Sequence, residues 1–246
     1  MKEALAQDRL TLLYQPIFRA RDREPTTAEA LLRWRRPHEE ADDLGELLAA
    51  AERSPVIFAL EVWAMRACFR DAAAWQRGAL PDLRVNLNLS AREFQRGDLP
   101  RKVRRELHAA GLDPARLTLE ITETSAIHDP AEVARILERL QDEGVQLWLD
   151  DFGTGHSSLA WLSWFETAGL KIPATFVRGV ATDRRSAVIT AATLEMAHAL
   201  GLRVAAEGIE EEAQLAWLVE HGCDDLQGFL LAQPAAAAEL PKLLGR

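Results

Sequence analysis

Gly144-Val145-Gln146-Leu147-Trp148-Leu149-Asp150-Asp151-Phe152-Gly153-Thr154-Gly155 is the stretch that decides the fold. Leu147 and Leu149 alternate with Gln146, Trp148 and Asp150, the period of a strand with two unlike faces. Before it, residues 131–143 place Val133, Ile136, Leu137 and Leu140 on one helical face, and Gly144 suits the end of that helix. The stretch therefore reads as a helix end, a short strand and a glycine-bracketed loop. Two adjacent aspartates at the strand end repel each other unless something positive lies between them. Hard oxygen ligands suit a divalent cation in that place.

Working outward, the same alternation of strand and helix recurs. Strand patterns fall at 10–16, 27–33, 84–89, 117–122, 146–150, 169–172, 202–206 and 223–227. A second amphipathic helix, 186–200, is expected to present Ile189, Thr193, Met196 and Leu200 on one face, with Gly201 after it. The alanine run 235–238 is expected to start a last helix. About eight strands with helical connections predict a (β/α)8 barrel, with an open doubly wound sheet as the alternative. The Pro- and charge-rich stretch 35–43 is too short to separate domains, so residues 1–246 read as one domain.

Composition bounds the function. The chain has 246 residues, 48% of them hydrophobic, enough for one large core. Its net charge is −9, and its 29 Lys and Arg residues form no basic block, which argues against a nucleic-acid polymer as partner. A small anion held through metal ions stays compatible with that charge. Two cysteines, Cys68 and Cys223, are too few for a disulfide framework and fit a reducing cytosol. Residues 1–10 lack the apolar core of a signal peptide, and no run reaches membrane-spanning length, so a cytoplasmic location is expected. The six histidines show no ligand spacing, which favours Mg²⁺ or Mn²⁺ over zinc.

Strand parity brings candidate functional residues together. Leu117, Leu119 and Ile121 oppose Thr118, Glu120 and Thr122; Val85, Leu87 and Leu89 oppose Asn86, Asn88 and Ser90. Leu170 and Ile172 flank Lys171, Val204 and Ala206 oppose Ala205 and Glu207, and Ala28 and Ala30 oppose Glu29 and Leu31. With the apolar faces toward helices, Glu29, Asn88, Glu120, Asp150, Lys171 and Glu207 converge from six strands inside the barrel. Most lie near the C-terminal strand ends, where such barrels place their chemistry. Each residue alone has an ordinary explanation as a helix cap, a surface turn or an ion pair. As a set, Glu29, Glu120, Asp150, Asp151 and Glu207 outnumber Lys171 and Arg33 by three charges. Buried charge is costly unless it is paired or binds metal, and one or two divalent ions would come close to balancing this excess.

These residues lie within a longer series. Tyr14-Gln15-Pro16, Glu29-Ala30-Leu31-Leu32-Arg33-Trp34, Asn88-Leu89-Ser90, Glu120-Ile121-Thr122-Glu123, Asp150-Asp151-Phe152-Gly153-Thr154-Gly155, Lys171-Ile172, Ala206-Glu207-Gly208-Ile209-Glu210, and Gly222-Cys223-Asp224 with Gln227-Gly228 occur in order. Together they closely resemble the EAL domain family of bacterial cyclic di-GMP phosphodiesterases, over about residues 8–240. The resemblance implies a TIM-like barrel whose first strand runs antiparallel to the rest, and hydrolysis of cyclic di-GMP to linear pGpG with two divalent ions, Mg²⁺ or Mn²⁺. It implies that Glu29, Asn88, Glu120 and Asp150 hold one metal. Asp150, Asp151 and Glu207 would hold the other, and Lys171 would orient or deprotonate the attacking water. Lys171, Glu207 and Asp151 are thereby the expected catalytic residues. Glu123 would anchor the loop after Asp151. Gln15, Leu31, Arg33, Glu210 and Gln227 would bind or support the substrate.

Other implications are a homodimer formed through residues 161–169, where Trp161, Trp164 and Phe165 cluster, and sensory or cyclase domains outside this chain. Three features depart from the family pattern. Pro173 follows Lys171-Ile172 where the family has Asp, His156 replaces an aromatic residue in the loop, and residues 37–56 are shorter than usual. Pro173 and His156 motivate an alternative, a receptor that binds cyclic di-GMP without cleaving it.

Overall fold

The alternating segments close on themselves. The computed structural model describes residues 10–34, 51, 54–122, 129–155 and 158–245. β1 (Leu10–Arg19) and β2 (Pro25–Trp34) form an antiparallel pair that sets Gln15 opposite Glu29. From β2 onward the pairing is parallel through β3 (Arg84–Leu89), β4 (Leu117–Thr122), β5 (Gln146–Asp150), β6 (Gly169–Ile172), β7 (Arg203–Ala206) and β8 (Asp225–Leu226). β8 then pairs antiparallel with β1 at Phe18 and Arg19, which closes the ring. The result is an eight-stranded, TIM-like mixed barrel with helices, its first strand reversed as the resemblance implied.

The helices in chain order are α1 (Val56–Arg77), α2 (Leu99–Ala110), α3 (Pro130–Asp142), α4 (Ser158–Trp164), α5 (Ala174–Val177), α6 (Arg184–Ala199), α7 (Glu212–Glu220) and α8 (Leu240–Leu243). α3 shows how local sequence sets a boundary. Asp129 accepts a hydrogen bond from the Glu132 backbone N–H, Pro130 opens the first turn, and Gly144 at φ 91° follows the end. Its buried residues are Val133, Ile136, Leu137 and Leu140, the face read from the sequence. Against such faces pack Leu117, Leu119, Ile121, Leu147, Leu149, Leu170, Ile172 and Val204, all 0–1% exposed. Each fully buried Leu or Ile of this layer contributes about 1.5–3 kcal/mol.

Two expectations need correction. α6 buries Thr190, Leu194 and Ala197, one residue on from the expected face, and leaves Ile189 and Leu200 exposed. Its sequence carries apolar residues on every side, so periodicity is a weak guide to the face that packs. The alanine run does not start a helix. Ala235–Ala236 is a ninth strand, β9, paired with Leu13 and Tyr14 of β1. β8 is only two residues long and reaches only Phe18 and Arg19, so further along β1 the backbone groups need another partner. That demand overrides the helix preference of alanine.

Candidate active site

The inward-facing residues near the C-terminal strand ends form a connected polar layer. Lys171, on β6, is fully buried. Its Nζ lies 3.0 Å from Glu29 Oε2, 3.0 Å from Glu120 Oε1 and 3.8 Å from Asp150 Oδ1, and it also touches Glu207 Oε1. Three strands and the residue that follows β7 thus deliver carboxylates to one ammonium. Glu29 is held on both oxygens: Asn88 Nδ2 donates to Oε1 at 2.8 Å, and Gln227 Nε2 donates to Oε2 at 2.8 Å. Gln227 Nε2 also reaches Gln15 Oε1 at 3.2 Å, and Gln15 Nε2 donates to the Ala232 carbonyl. Glu120 accepts a 2.6 Å hydrogen bond from Asn86 Nδ2.

Asp151 occupies the left-handed region at φ 54°, which Asp tolerates better than most side chains. Its N–H donates to Asp150 Oδ1 at 2.8 Å, and its carbonyl accepts from both the Thr154 N–H and hydroxyl. This turn keeps the second carboxylate beside the first. Carboxylate oxygens of Asp150, Asp151 and Glu207 all lie within 4.8 Å of one another. Phe152 N–H donates to the Lys171 carbonyl, and Glu207 N–H donates to the Ile172 carbonyl, tying loop, β6 and β7 together.

The electrostatics follow from burial and crowding. Burial alone would lower the Lys171 pKa, but Glu120, Glu207, Glu29 and Asp150 together hold it well above the usual lysine value. Burial raises Glu120 well above the carboxylate range, against the pull of Lys171. Burial likewise lifts Glu207 to about 8. For Glu29, burial is outweighed by Lys171 and by its three hydrogen-bond donors, which lower its pKa. One ammonium cannot neutralise this many carboxylates, so two of them favour the protonated form. All the donors are hard oxygens, which suits a divalent cation of the Mg²⁺ or Mn²⁺ type.

A cavity of about 330 Å³ opens above this layer. Gln15, Glu29, Leu31, Asp150, Asp151, Glu207, Glu210 and Gln227 line it, so most of the expected site residues meet in one place. Arg33 does not line it; its guanidinium donates to the Leu32 carbonyl at 2.8 Å. Glu123 and His156, and most of residues 37–56, lie outside the described residues. Pro173 ends β6 and precedes α5, and its carbonyl accepts from Phe176 N–H. Gly208 has φ 66°, and a Cβ there would come within 2.3 Å of the Ala174 Cβ, so this wall of the cavity depends on glycine. Sequence reading did not single out Asn86 or Phe229. Asn86 shares the inward parity of Asn88, which could have marked it; Phe229, a 54% exposed wall residue beyond β8, has no periodic signal. The aromatic cluster divides: Trp161 is buried and meets Phe165 edge-on at 5.0 Å, while Trp164 is 43% exposed.

Comparison with known proteins agrees with this geometry. The EAL domain family model matches residues 1–234. The chain is 37% identical over 240 residues to the bifunctional diguanylate cyclase/cyclic di-GMP phosphodiesterase MucR of Pseudomonas aeruginosa, covering 98% of this chain and 35% of that protein. It is 37% identical over 244 residues to the cyclic di-GMP phosphodiesterase NbdA of the same organism, covering 99% of this chain and 31% of that one. The chain therefore spans about a third of the length of these curated relatives. Among solved structures, a PaMucR phosphodiesterase in complex with c-di-GMP superposes with a TM-score of 0.92 at 37% identity, covering 97% of both chains. No helix among the described residues is long and apolar enough to cross a membrane.

Proposed function

This chain belongs to the EAL domain family of cyclic di-GMP phosphodiesterases, and from that premise we propose that it is itself an active hydrolase converting cyclic di-GMP to linear pGpG with two divalent ions, Mg²⁺ or Mn²⁺. The family uses divalent metals. The observation that carries the proposal is the gathering of Asp150, Asp151 and Glu207 oxygens within 4.8 Å, beside Lys171 and under an open cavity. Glu29, Asn88, Glu120 and Asp150 would hold one ion; Asp150, Asp151 and Glu207 would hold the other. Bound there, the ions supply Lewis acidity toward the phosphodiester and lower the pKa of water.

The remaining work belongs to the chain's own residues. Lys171, kept as an ammonium by its carboxylates, tempers charge repulsion within the layer, and an N–H freed from one of those carboxylates would orient the attacking water. Asn88 and Gln227 donate to both oxygens of Glu29 and so fix the orientation of that carboxylate. Gln15 and Gln227 present amides at the cavity wall, and Leu31 and Glu210 line the space for the dinucleotide. Arg33 would reach a phosphate after turning from the Leu32 carbonyl, offering a planar fork that lysine lacks.

The competing reading, a cyclic di-GMP receptor, is favoured by Pro173, which brings no carboxylate to the neighbourhood of Lys171. Four other carboxylates already meet that ammonium, and this weighs toward catalysis. Chromatography of the nucleotide after incubation with Mg²⁺ or Mn²⁺ decides between them: pGpG supports the enzyme, and tight binding without product supports the receptor. We further propose a cytoplasmic homodimer that joins through residues 161–169, where Trp164 and the neighbouring Leu159 are exposed. Sensory or cyclase domains outside this chain would control it. A monomer by light scattering at high concentration would count against the dimer.

A further inference from the structure

A second cavity, of about 310 Å³, opens at the opposite mouth of the barrel, among residues at the starts of the parallel strands. Such positions in barrels are usually filled by branched apolar side chains. Here Thr27, Arg84, Gln146 and Arg203 occupy them instead. Arg203 is neutralised by Asp225, with both oxygens 2.8 Å from Nη2, and Arg19 is neutralised by Asp22 at 2.9 Å. Arg84 differs from both. Its described partner is the neutral amide oxygen of Gln146, and no carboxylate among the described residues forms a salt bridge with it. Burial lowers its pKa, and the nearby Arg116 and Arg203 act in the same direction against the weaker pull of Asp113 and Asp225.

A second, independent observation lies on the same wall. Asn86 is 4% exposed and lines this cavity. Its Nδ2 is committed to Glu120, and its Oδ1 has no hydrogen-bond partner among the described residues. A buried amide oxygen left unpaired is destabilising, and a partly buried cation with no direct ion pair among the described residues adds to that cost. The cavity thus presents a planar cationic fork, a hydroxyl from Thr27 and an acceptor that needs a donor. A carboxylate would satisfy the fork alone. A phosphate that keeps one proton satisfies both, accepting from Arg84 and donating its P–OH toward an amide oxygen. The volume of about 310 Å³ lies within the range of small-molecule sites.

We infer that the N-terminal mouth of the barrel binds a small phosphate-bearing anion through Arg84 and Asn86, separately from the acidic layer. The probe is inorganic phosphate, titrated calorimetrically into the full chain with Mg²⁺ and again with a chelator, and acetate serves as the planar control. The expected result is saturable phosphate binding at millimolar or lower concentration, indifferent to the chelator and stronger than that of acetate. Arg84→Gln should weaken it at least tenfold, which corresponds to about 1.4 kcal/mol. Should Arg84→Gln fold poorly, Arg84→Lys retains the charge but loses the fork and should weaken binding by a smaller factor. Binding abolished by the chelator would place the anion at the acidic layer and overturn the inference. So would equal affinity in wild type and folded variant, equal affinity for acetate, or no saturable binding at all.

Discussion

Replacing Lys171 by Met tests what the buried ammonium does before any metal arrives. Met fills similar space but removes the positive charge that Glu29, Glu120, Asp150 and Glu207 share. At an effective dielectric of about 20, one carboxylate 3.0 Å away attracts the ammonium by roughly 5–6 kcal/mol gross, much of which offsets the cost of burying it. Removing one partner of a buried charged group typically costs about 3–5 kcal/mol. For a chain of this size that corresponds to a fall in melting temperature of roughly 6–20 °C. Glu120 and Glu207 already favour protonation, so the fall should be smaller near about pH 6 than near about pH 8.5, where protons are scarcer. The assay is thermal unfolding in chelator and in Mn²⁺. Because divalent ions would supply the missing positive charge, Mn²⁺ should raise the variant's melting temperature by more than it raises that of wild type. An unchanged melting temperature in chelator, or equal Mn²⁺ stabilisation of the two proteins, would refute the reasoning.

Further expectations follow from the same geometry. Glu29→Ala removes the carboxylate tied to Asn88, Gln227 and Lys171, and should abolish turnover while leaving a folded protein by circular dichroism; wild-type turnover would mean that the metal assignment is wrong. Burial raises the Glu207 pKa to about 8, so a metal must displace that proton. Metal affinity should therefore rise with pH until about 8 and then level, with proton release measurable by calorimetry in two buffers of different ionisation enthalpy. Away from the site, burial and the adjacent Glu93 raise Glu61 to about 9. Its contribution to stability is full below the ordinary carboxylate pKa and is lost as pH rises toward about 9. Glu61→Gln should accordingly raise the melting temperature near about pH 9 and change little near about pH 5; a shift of equal size at both would contradict this.

Strand parity explains why so much of the site was legible. A period of two is rigid over four to six residues, so Glu120, Asp150 and Lys171 could be assigned to the barrel interior from their apolar neighbours alone. The reversed first strand was different: nothing in the period of residues 10–16 carries direction, and only the family resemblance implied it. α6 was misread because its apolar residues surround the helix, so packing chose Thr190, Leu194 and Ala197 where the pattern had favoured Ile189 and Met196. The alanine run was misread because its conformation answers a distant need, the flank of β1 beyond the reach of β8. Asn86 escaped notice although it shares a face with Asn88, because an amide beneath a carboxylate has no motif of its own. The arginines at the far mouth were invisible for a related reason: Arg19, Arg84 and Arg203 come together only when the barrel closes.

The most direct measurement is hydrolysis of cyclic di-GMP by this chain in chelator, in Mg²⁺ and in Mn²⁺, with products resolved by chromatography. The account predicts linear pGpG with either ion, none in chelator, and none from Glu29→Ala under any condition. Intact cyclic di-GMP in both metals, from folded protein that binds the nucleotide, would contradict it.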